Sequence, residues 1–359
     1  MRLCTILLAS VFVAGCGGTP TSEMPPAKEP RPTLGAPITA PMNTWTWVDF
    51  PDSTCDEGTP TGIGINPGTS GNVLFFLMGG GACWDYSTCI TVGFAAHGPF
   101  QKRDFDGSYR GFSGILDRND PDNPARDWSY VFVPYCTGDV HAGDNEVVYS
   151  SGNDSQTYRH RGRRNLEAFM KRVAGTFPDA PKVVISGSSA GGYGAAFGFP
   201  TARRYFPDAK VYLVDDSGPP LIGDAIPASF RAAWFKNWNL GPVLDATCPG
   251  CRDDLSLVIP SYAPRYPDDR MALLSSLQDK TISGYLLRAP ATFENDLLEM
   301  ATERLDPTAH GRYFFVPGQT HTMLFDLAQF TSNGVRLGDW LKQLVSDDPA
   351  WKSTKPKTE

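Results

Sequence analysis

The chain has 359 residues, with 32 basic side chains against 39 acidic ones and a formal charge of −7 at neutral pH. That balance, with no Lys/Arg stripe interleaved with aromatics, excludes the electrostatic footprint needed to hold a nucleic-acid backbone. The length suits one large α/β domain, and no internal repeat or second linker divides it.

At the start of the chain, Arg2 is followed by an apolar run, Leu3 to Val13, that is too short to cross a bilayer and predicts a signal peptide over residues 1–15. The run ends in Val13-Ala14-Gly15-Cys16, which resembles a bacterial lipobox. Acylation of Cys16 and export to the cell envelope are therefore expected, with the lipid as the only membrane attachment. Gly17 in place of an acidic residue points to an outer membrane where one exists, and plain secretion is the alternative. Residues 16–41 are rich in Pro, Thr, Gly, Glu and Lys and predict a flexible tether, because so little apolar surface does not offset the entropy of ordering. Residues 42–359 are expected to form a single domain.

Six short runs rich in β-branched and aromatic residues predict buried strands: Val73 to Met78, Tyr130 to Val133, Val183 to Ser186, Val211 to Val214, Met271 to Ser275 and Tyr313 to Val316. Helical periodicity is clearest around Leu166 to Val173, and again where Leu337, Trp340, Leu341 and Leu344 share one face. The basic cluster Arg159 to Arg164 is read as the solvated start of the first of these helices. Alternating strands and helices predict an α/β fold of the α/β-hydrolase type, a mainly parallel sheet with helices on both faces. In such sheets ligands bind beyond the carboxyl ends of the strands.

Of eight cysteines, Cys4 leaves with the signal and Cys16 carries the lipid, so six remain to pair. Sequence alone allows about fifteen connectivities, but Cys83 and Cys89 bracket a short loop and Cys248 and Cys251 form a tight CxxC, which leaves Cys55 with Cys136. No histidine lies at ligand spacing from either close pair, so structural staples are expected rather than zinc or a redox dithiol.

After the strand at Val183 comes Gly187-Ser188-Ser189-Ala190-Gly191-Gly192, a G-x-S-x-G leading into a helical pattern. A sharp strand-to-helix turn exposes the central serine, which makes Ser189 the candidate nucleophile. A serine hydroxyl needs a base. Of five histidines, His321 follows the strand at Tyr313 in a polar loop, whereas His310 precedes that strand, His160 lies in the basic helix start, and His97 and His141 come before the nucleophile. The chain order Ser, acid, His selects His321. Asp279, after the strand at Met271, is the expected acid; Asp216, after the preceding strand, competes and is otherwise a turn residue tying down the Ser217 and Gly218 backbone. The backbone of Ala190 and of Gly79-Gly80-Gly81 offers N–H groups for an oxyanion, and no Lys-Ser/Thr follows that glycine run as a P-loop would require.

At these residues the chain resembles the pectin acetylesterase and Notum family of carboxylic ester hydrolases. The resemblance covers Leu77 to Cys83, Val133 to Asp139, Arg161 to Asn165, Ser186 to Gly192 and Asp216-Ser217-Gly218, in that order. It implies Ser189, Asp279 and His321 at the catalytic positions, Gly80, Gly81 and Ala190 at the oxyanion hole, and disulfides Cys55–Cys136 and Cys83–Cys89. Met78, Gly81, Ala82 and His141 depart from the family's usual residues near the site. Plant members remove acetate from pectin and the animal member removes a long unsaturated acyl chain from a signalling protein. For a bacterial lipoprotein the implied partner is an acylated carbohydrate, with acetate on a polysaccharide foremost and a longer acyl ester as the alternative. The aromatic run Phe230 to Trp238 suits either an acyl pocket or a sugar cleft. No cofactor or metal is expected, nor a nucleic-acid partner, and the chain is expected to be a monomer. An idle polysaccharide-binding lipoprotein and a serine amidase are the competing classes.

Overall fold

The computed structural model describes residues 31–357. The predicted signal peptide, Cys16 and the first part of the tether lie outside them. The described part of that tether, residues 31–41, is packed against the domain. The Gly35 N–H donates to the Lys171 carbonyl, the Ile38 N–H donates to Thr176 Oγ1, and Ile38 is buried. The tether therefore ends earlier than composition suggested, because Leu34, Ile38 and Ala40 supply the apolar contacts that a run of Pro and Thr does not.

Ten strands matter here: β1 (Thr46–Thr54), β2 (Pro60–Asn66), β3 (Val73–Leu77), β4 (Ser129–Val133), β5 (Asn145–Ser151), β6 (Asp154–His160), β7 (Lys182–Ser188), β8 (Lys210–Asp216), β9 (Met271–Ser276) and β10 (Gly311–Val316). Eight of them form one sheet in the order β1-β2-β4-β3-β7-β8-β9-β10, while β5 and β6 make a separate hairpin. The six strands from β4 to β10 are parallel, and β2 pairs antiparallel with both of its neighbours. This is the expected α/β architecture. The helices are α1 (Lys102–Ser108), α2 (Gly162–Thr176), α3 (Ala190–Tyr205), α4 (Ala228–Ala233), α5 (Gly241–Leu244), α6 (Val258–Tyr262), α7 (Lys280–Tyr285), α8 (Pro290–Met300) and α9 (Leu337–Val345).

The central strands are buried on both faces, so they read as continuous apolar runs whose alternate residues enter different cores. Phe75, Ile185 and Leu213 face one layer with Leu166, Phe169 and Val173 of α2 and Phe199 of α3. Leu74, Phe76, Val184 and Val214 face the other, with Phe105 of α1 and Trp340, Leu341 and Leu344 of α9. Strand order reverses at β3, whose continuation β4 lies on one side and whose other neighbour is β7. At such a switch point the loops after adjacent strands part and leave a crevice. Leu77 lies opposite Gly187, so the glycine run after β3 and the serine turn after β7 flank that crevice.

The basic cluster is only in part a solvated helix face, since of its arginines Arg164 alone is exposed. Arg159 and His160 end β6, α2 begins only at Gly162, and Arg161 and Arg163 both hold Asp144 at 2.8 Å. Two positive side chains converge on one carboxylate because the chain turns sharply there between a hairpin and a helix.

Cys55 is bonded to Cys136, Cys83 to Cys89, and Cys248 to Cys251. The first spans 81 residues and ties the end of the edge hairpin β1–β2 to the loop after β4. Closing a loop of that length constrains the unfolded chain by about 4 to 5 kcal/mol in the chain-entropy account. The double variant Cys55→Ala, Cys136→Ala is therefore expected to melt roughly 6 to 7 °C below wild type. Calorimetry checks this, and an unchanged midpoint would mean that the bond contributes nothing.

Candidate active site

Ser189 sits between β7 and α3 with φ 62° and ψ −122°, the strained conformation that an exposed turn serine requires. Its surroundings explain the glycines. A Cβ on Gly187 would run into the Gly191 carbonyl, and one on Gly191 into the carbonyl of Leu77. The Ser189 N–H donates to the Asp216 carbonyl at 2.7 Å, which fixes the turn against β8. Ala190 opens α3, where first-turn N–H groups have no helical acceptor and the helix dipole favours negative charge. Across the crevice Gly80 and Gly81 have φ of 150° and 74°, values that a residue with a Cβ rarely adopts.

His321 and Asp279 meet. His321 Nδ1 lies 2.8 Å from Asp279 Oδ2. A carboxylate only accepts, so Nδ1 carries the hydrogen and Nε2 keeps its lone pair, the tautomer that can take up a proton. Asp279 is fully buried, and its Oδ1 accepts from the N–H groups of Thr281 (2.9 Å) and Ile282 (3.0 Å), capping α7. Among the described residues, neither the Ser189 hydroxyl nor His321 Nε2 has a hydrogen-bond partner. Hydrogen bonds between a nucleophile and its base are often loose or unmade before substrate binds.

Asp216 does not hold Gly218. Asp215 does, through Oδ1 at 2.8 Å, while the Asp216 carboxylate accepts from Ser188 Oγ and from the N–H groups of Met323 and Leu324 in the histidine loop. The sequence reading of Asp216 as a local turn residue is corrected by this reach across 107 positions. Burial pushes its carboxyl up, opposed by those hydrogen bonds.

The other histidines have structural surroundings. His141 Nε2 lies 2.8 Å from the Met78 carbonyl, and burial pushes its imidazole down to about 4, so it is neutral with Nε2 as donor. His160, at the end of β6, bridges the Thr137 carbonyl and the Tyr149 hydroxyl, and burial again pushes it down to about 4. His97 stands beside Asp56, and the His310 carbonyl accepts from Met271 N at the amino end of β9. Among the described residues no group of three or more His, Cys, Asp or Glu is arranged to hold a metal ion.

A cavity of about 520 Å³, counted to its open mouth, starts at Ser189. Gly81 and Ala190 reach it; Gly80 does not line it. Its walls are almost wholly apolar: Trp84, Phe197, Trp234, Trp238, Ile282 and Leu286 dominate. Trp234 and Trp238 stack at 5.2 Å in a single irregular turn after α4, and the Trp84 ring meets Trp234 edge-on. Trp238 is held by donating its indole N–H to the Cys83 carbonyl, so the Cys83–Cys89 loop braces this wall. Val140, also on the wall, has φ 48°, unusual for a β-branched residue. The buried Asp139 carboxylate beside it accepts from Thr137 Oγ1 and from the N–H groups of His141, Gly143 and Gly162, holding that backbone in place. Burial pushes the Asp139 carboxyl up to about 6.

Sequence reasoning pointed to Trp234 and Trp238 through the aromatic run but missed Trp84, Val140, Ile282 and Leu286. The last two were within reach, since they lie three and seven residues after Asp279, one on the helix it caps and one just past that helix's end.

A family model described as Pectinacetylesterase matches residues 41–227, which include the glycine run, Ser189 and Asp216 but end before Asp279 and His321. The chain is 28% identical over 189 residues to palmitoleoyl-protein carboxylesterase notum1' of Xenopus laevis, covering 51% of this chain and 35% of that protein. It is 30% identical over 175 residues to notum1 of the same organism, covering 46% of this chain and 34% of the relative. The chain thus spans about a third of the length of these two relatives. A protein named inactive palmitoleoyl-protein carboxylesterase notum1b, of Danio rerio, is 34% identical over 104 residues, 28% of this chain and 73% of the relative. With more than half of its length matched by the family model, this chain belongs to the pectinacetylesterase family.

Proposed function

We propose that the protein is a serine hydrolase of carboxylic esters whose acyl group enters the apolar cavity at Ser189. In this reading Ser189 Oγ attacks the ester carbonyl while His321 Nε2 takes its proton, and Asp279 stabilises the imidazolium through Nδ1. The oxyanion is met by backbone N–H groups of Gly80, Gly81 and Ala190. His321 returns the proton to the departing alcohol and leaves an acyl group on Ser189. Water, deprotonated by His321, then releases the acid and restores the serine. No step requires a cofactor.

The observation that carries the acyl assignment is the lining of the cavity. Walls of Trp, Phe, Ile and Leu offer a sugar almost no hydrogen-bond partners, but they remove an alkyl chain from water at about 0.8 kcal/mol per CH₂. The acyl group is therefore longer than acetate. Acetate on a polysaccharide is the second reading, favoured by the family model's description. Hydrolysis of aryl esters from acetate to dodecanoate separates the two. We expect kcat/KM to rise ~10-fold or more from acetate to hexanoate. Acetate fastest, with a steady fall thereafter, would give the second reading its place. No hydrolysis of any ester would leave the fold without this activity.

Narrowing the cavity should reverse the preference. Ile282→Trp is expected to lower kcat/KM for octanoate by about 10-fold while changing acetate less than ~3-fold, because only the longer chain needs the occupied volume. An equal loss on both esters in the same assay would mean that Ile282 does not bound the acyl site.

Export belongs to the same proposal. Three disulfides suit an oxidising compartment, and acylation at Cys16 would tether the domain to a membrane surface. Among the described residues no helix is long and apolar enough to cross a membrane.

A further inference from the structure

We infer that Asp216 is a positioning residue that sets the distance between the Ser189 hydroxyl and His321 by clamping the nucleophile turn and the histidine loop to one buried carboxylate. The inference rests on the reading of Ser189 as nucleophile and His321 as base.

One arm of the clamp runs to the nucleophile. Ser188, the residue before Ser189, donates its hydroxyl to Asp216 Oδ2 at 2.7 Å, and the Ser189 N–H donates to the Asp216 carbonyl at 2.7 Å. The other arm runs to the base. Met323 N lies 3.0 and 2.9 Å from the two carboxylate oxygens, Leu324 N lies 3.1 Å from Oδ2, and Thr322 N donates to Ser217 Oγ at 3.2 Å. Ser217 Oγ itself lies 3.3 Å from Asp216 Oδ1. Asp216, Ser217 and Ser188 are all buried, so water does not compete for these bonds.

The backbone shows what the clamp holds. Ser189, Ser217 and Thr322 have φ of 62°, 63° and 67°, three non-glycine residues in the left-handed region on three segments joined by these bonds. Such conformations persist only where the surroundings over-determine them. The nucleophile and the base stand on loops after β7 and β10, separated in the sheet by β8 and β9. Asp279 holds the imidazole ring, whereas Asp216 touches both loops. With its oxygens engaged by Ser188, Ser217, Met323 and Leu324, Asp216 acts through position and not as the acid of the imidazole.

The two arms act in series, because the serine-to-imidazole distance is lost when either gives way. Ser188→Ala cuts the first arm and Ser217→Ala loosens the second. Each is expected to lower kcat on hexanoate aryl ester ~10-fold, with KM within ~3-fold and the melting midpoint within a few degrees of wild type. The rate of fluorophosphonate labelling should fall in the same proportion. The double variant should then lose little more than the worse single one, not the ~100-fold that independent effects would multiply to. Asp216→Asn, which keeps one acceptor, should lose more than either serine variant; where it does not fold, the serine variants decide. Wild-type kcat in both serine variants, losses confined to KM, or multiplying losses that track falling stability would each overturn the clamp. If instead wild type is inert on every ester, or Ser189→Ala keeps full activity, the reading of the site fails and the clamp falls with it.

Discussion

Ser189→Ala is expected to lower kcat for ester hydrolysis by at least ~10⁴-fold while leaving the melting midpoint within a few degrees of wild type. The two halves of this result have separate causes. Activity is lost because no other hydroxyl replaces Ser189 Oγ: Ser188, the neighbour, has its hydroxyl turned into the protein and bonded to Asp216. The fold survives because the positive φ at this position belongs to the turn and not to the side chain, and the N–H bond to the Asp216 carbonyl is retained. Alanine tolerates that backbone about as poorly as serine does, so little strain is added or released. Steady-state kinetics and a thermal melt on the same sample check both halves. Activity within ~10-fold of wild type would place the nucleophile elsewhere.

The second large effect separates two duties of one carboxylate. Asp279 accepts from His321 through Oδ2 and caps α7 through Oδ1. In Asp279→Asn the amide oxygen can keep the cap, but the NH₂ then faces Nδ1 and favours the tautomer with the hydrogen on Nε2, which takes up no proton there. We expect kcat to fall by about 10³ to 10⁴-fold with a wild-type melt. Asp279→Ala should lose as much activity and also the cap, a cost of about 1 kcal/mol, or roughly 1 to 2 °C in a domain of this size. Differential scanning calorimetry beside the kinetics distinguishes the variants. Near-wild-type activity in both would remove Asp279 from the reaction.

What the sequence disclosed follows from where the information lies. Strands β3, β7, β8 and β9 are buried on both faces, so burial alone demands unbroken Val, Ile, Leu and Phe, and that demand is visible in a short window. The turn at Ser189 was legible for a similar reason, since the crowding at Gly187 and Gly191 leaves room only for glycine. Strands β1 and β2 were not, because one is half exposed and interrupted by Pro51 and the other carries Gly62 and Gly64. Those glycines weaken strand propensity, yet they are required: a Cβ at Gly62 would meet the Val48 carbonyl, and one at Gly64 the Phe105 ring. The β5–β6 hairpin escaped because its side chains are mostly exposed and polar, and its last residues, Arg159 and His160, were read as the start of a helix.

The candidate site divides along the same line. Each of Ser189, Asp279 and His321 follows a strand, which local pattern can show. The role of Asp216 cannot be read locally, because its partners Met323 and Leu324 lie more than a hundred residues away. The cavity is equally non-local: Trp84, Val140, Trp234 and Ile282 come from four separate segments, and none announces a shared wall in sequence. In the proposed reading acyl length is set by that wall, which is why the sequence motifs did not decide it.

Passage of a covalent acyl group through Ser189 is tested by the intact mass of the protein after exposure to an alkyl fluorophosphonate, followed by peptide mapping. One adduct per chain is expected, located on Ser189, slowed by a competing hexanoate ester and absent in Ser189→Ala. No adduct under conditions where the ester is turned over, or an adduct on another residue that tracks loss of activity, would contradict it.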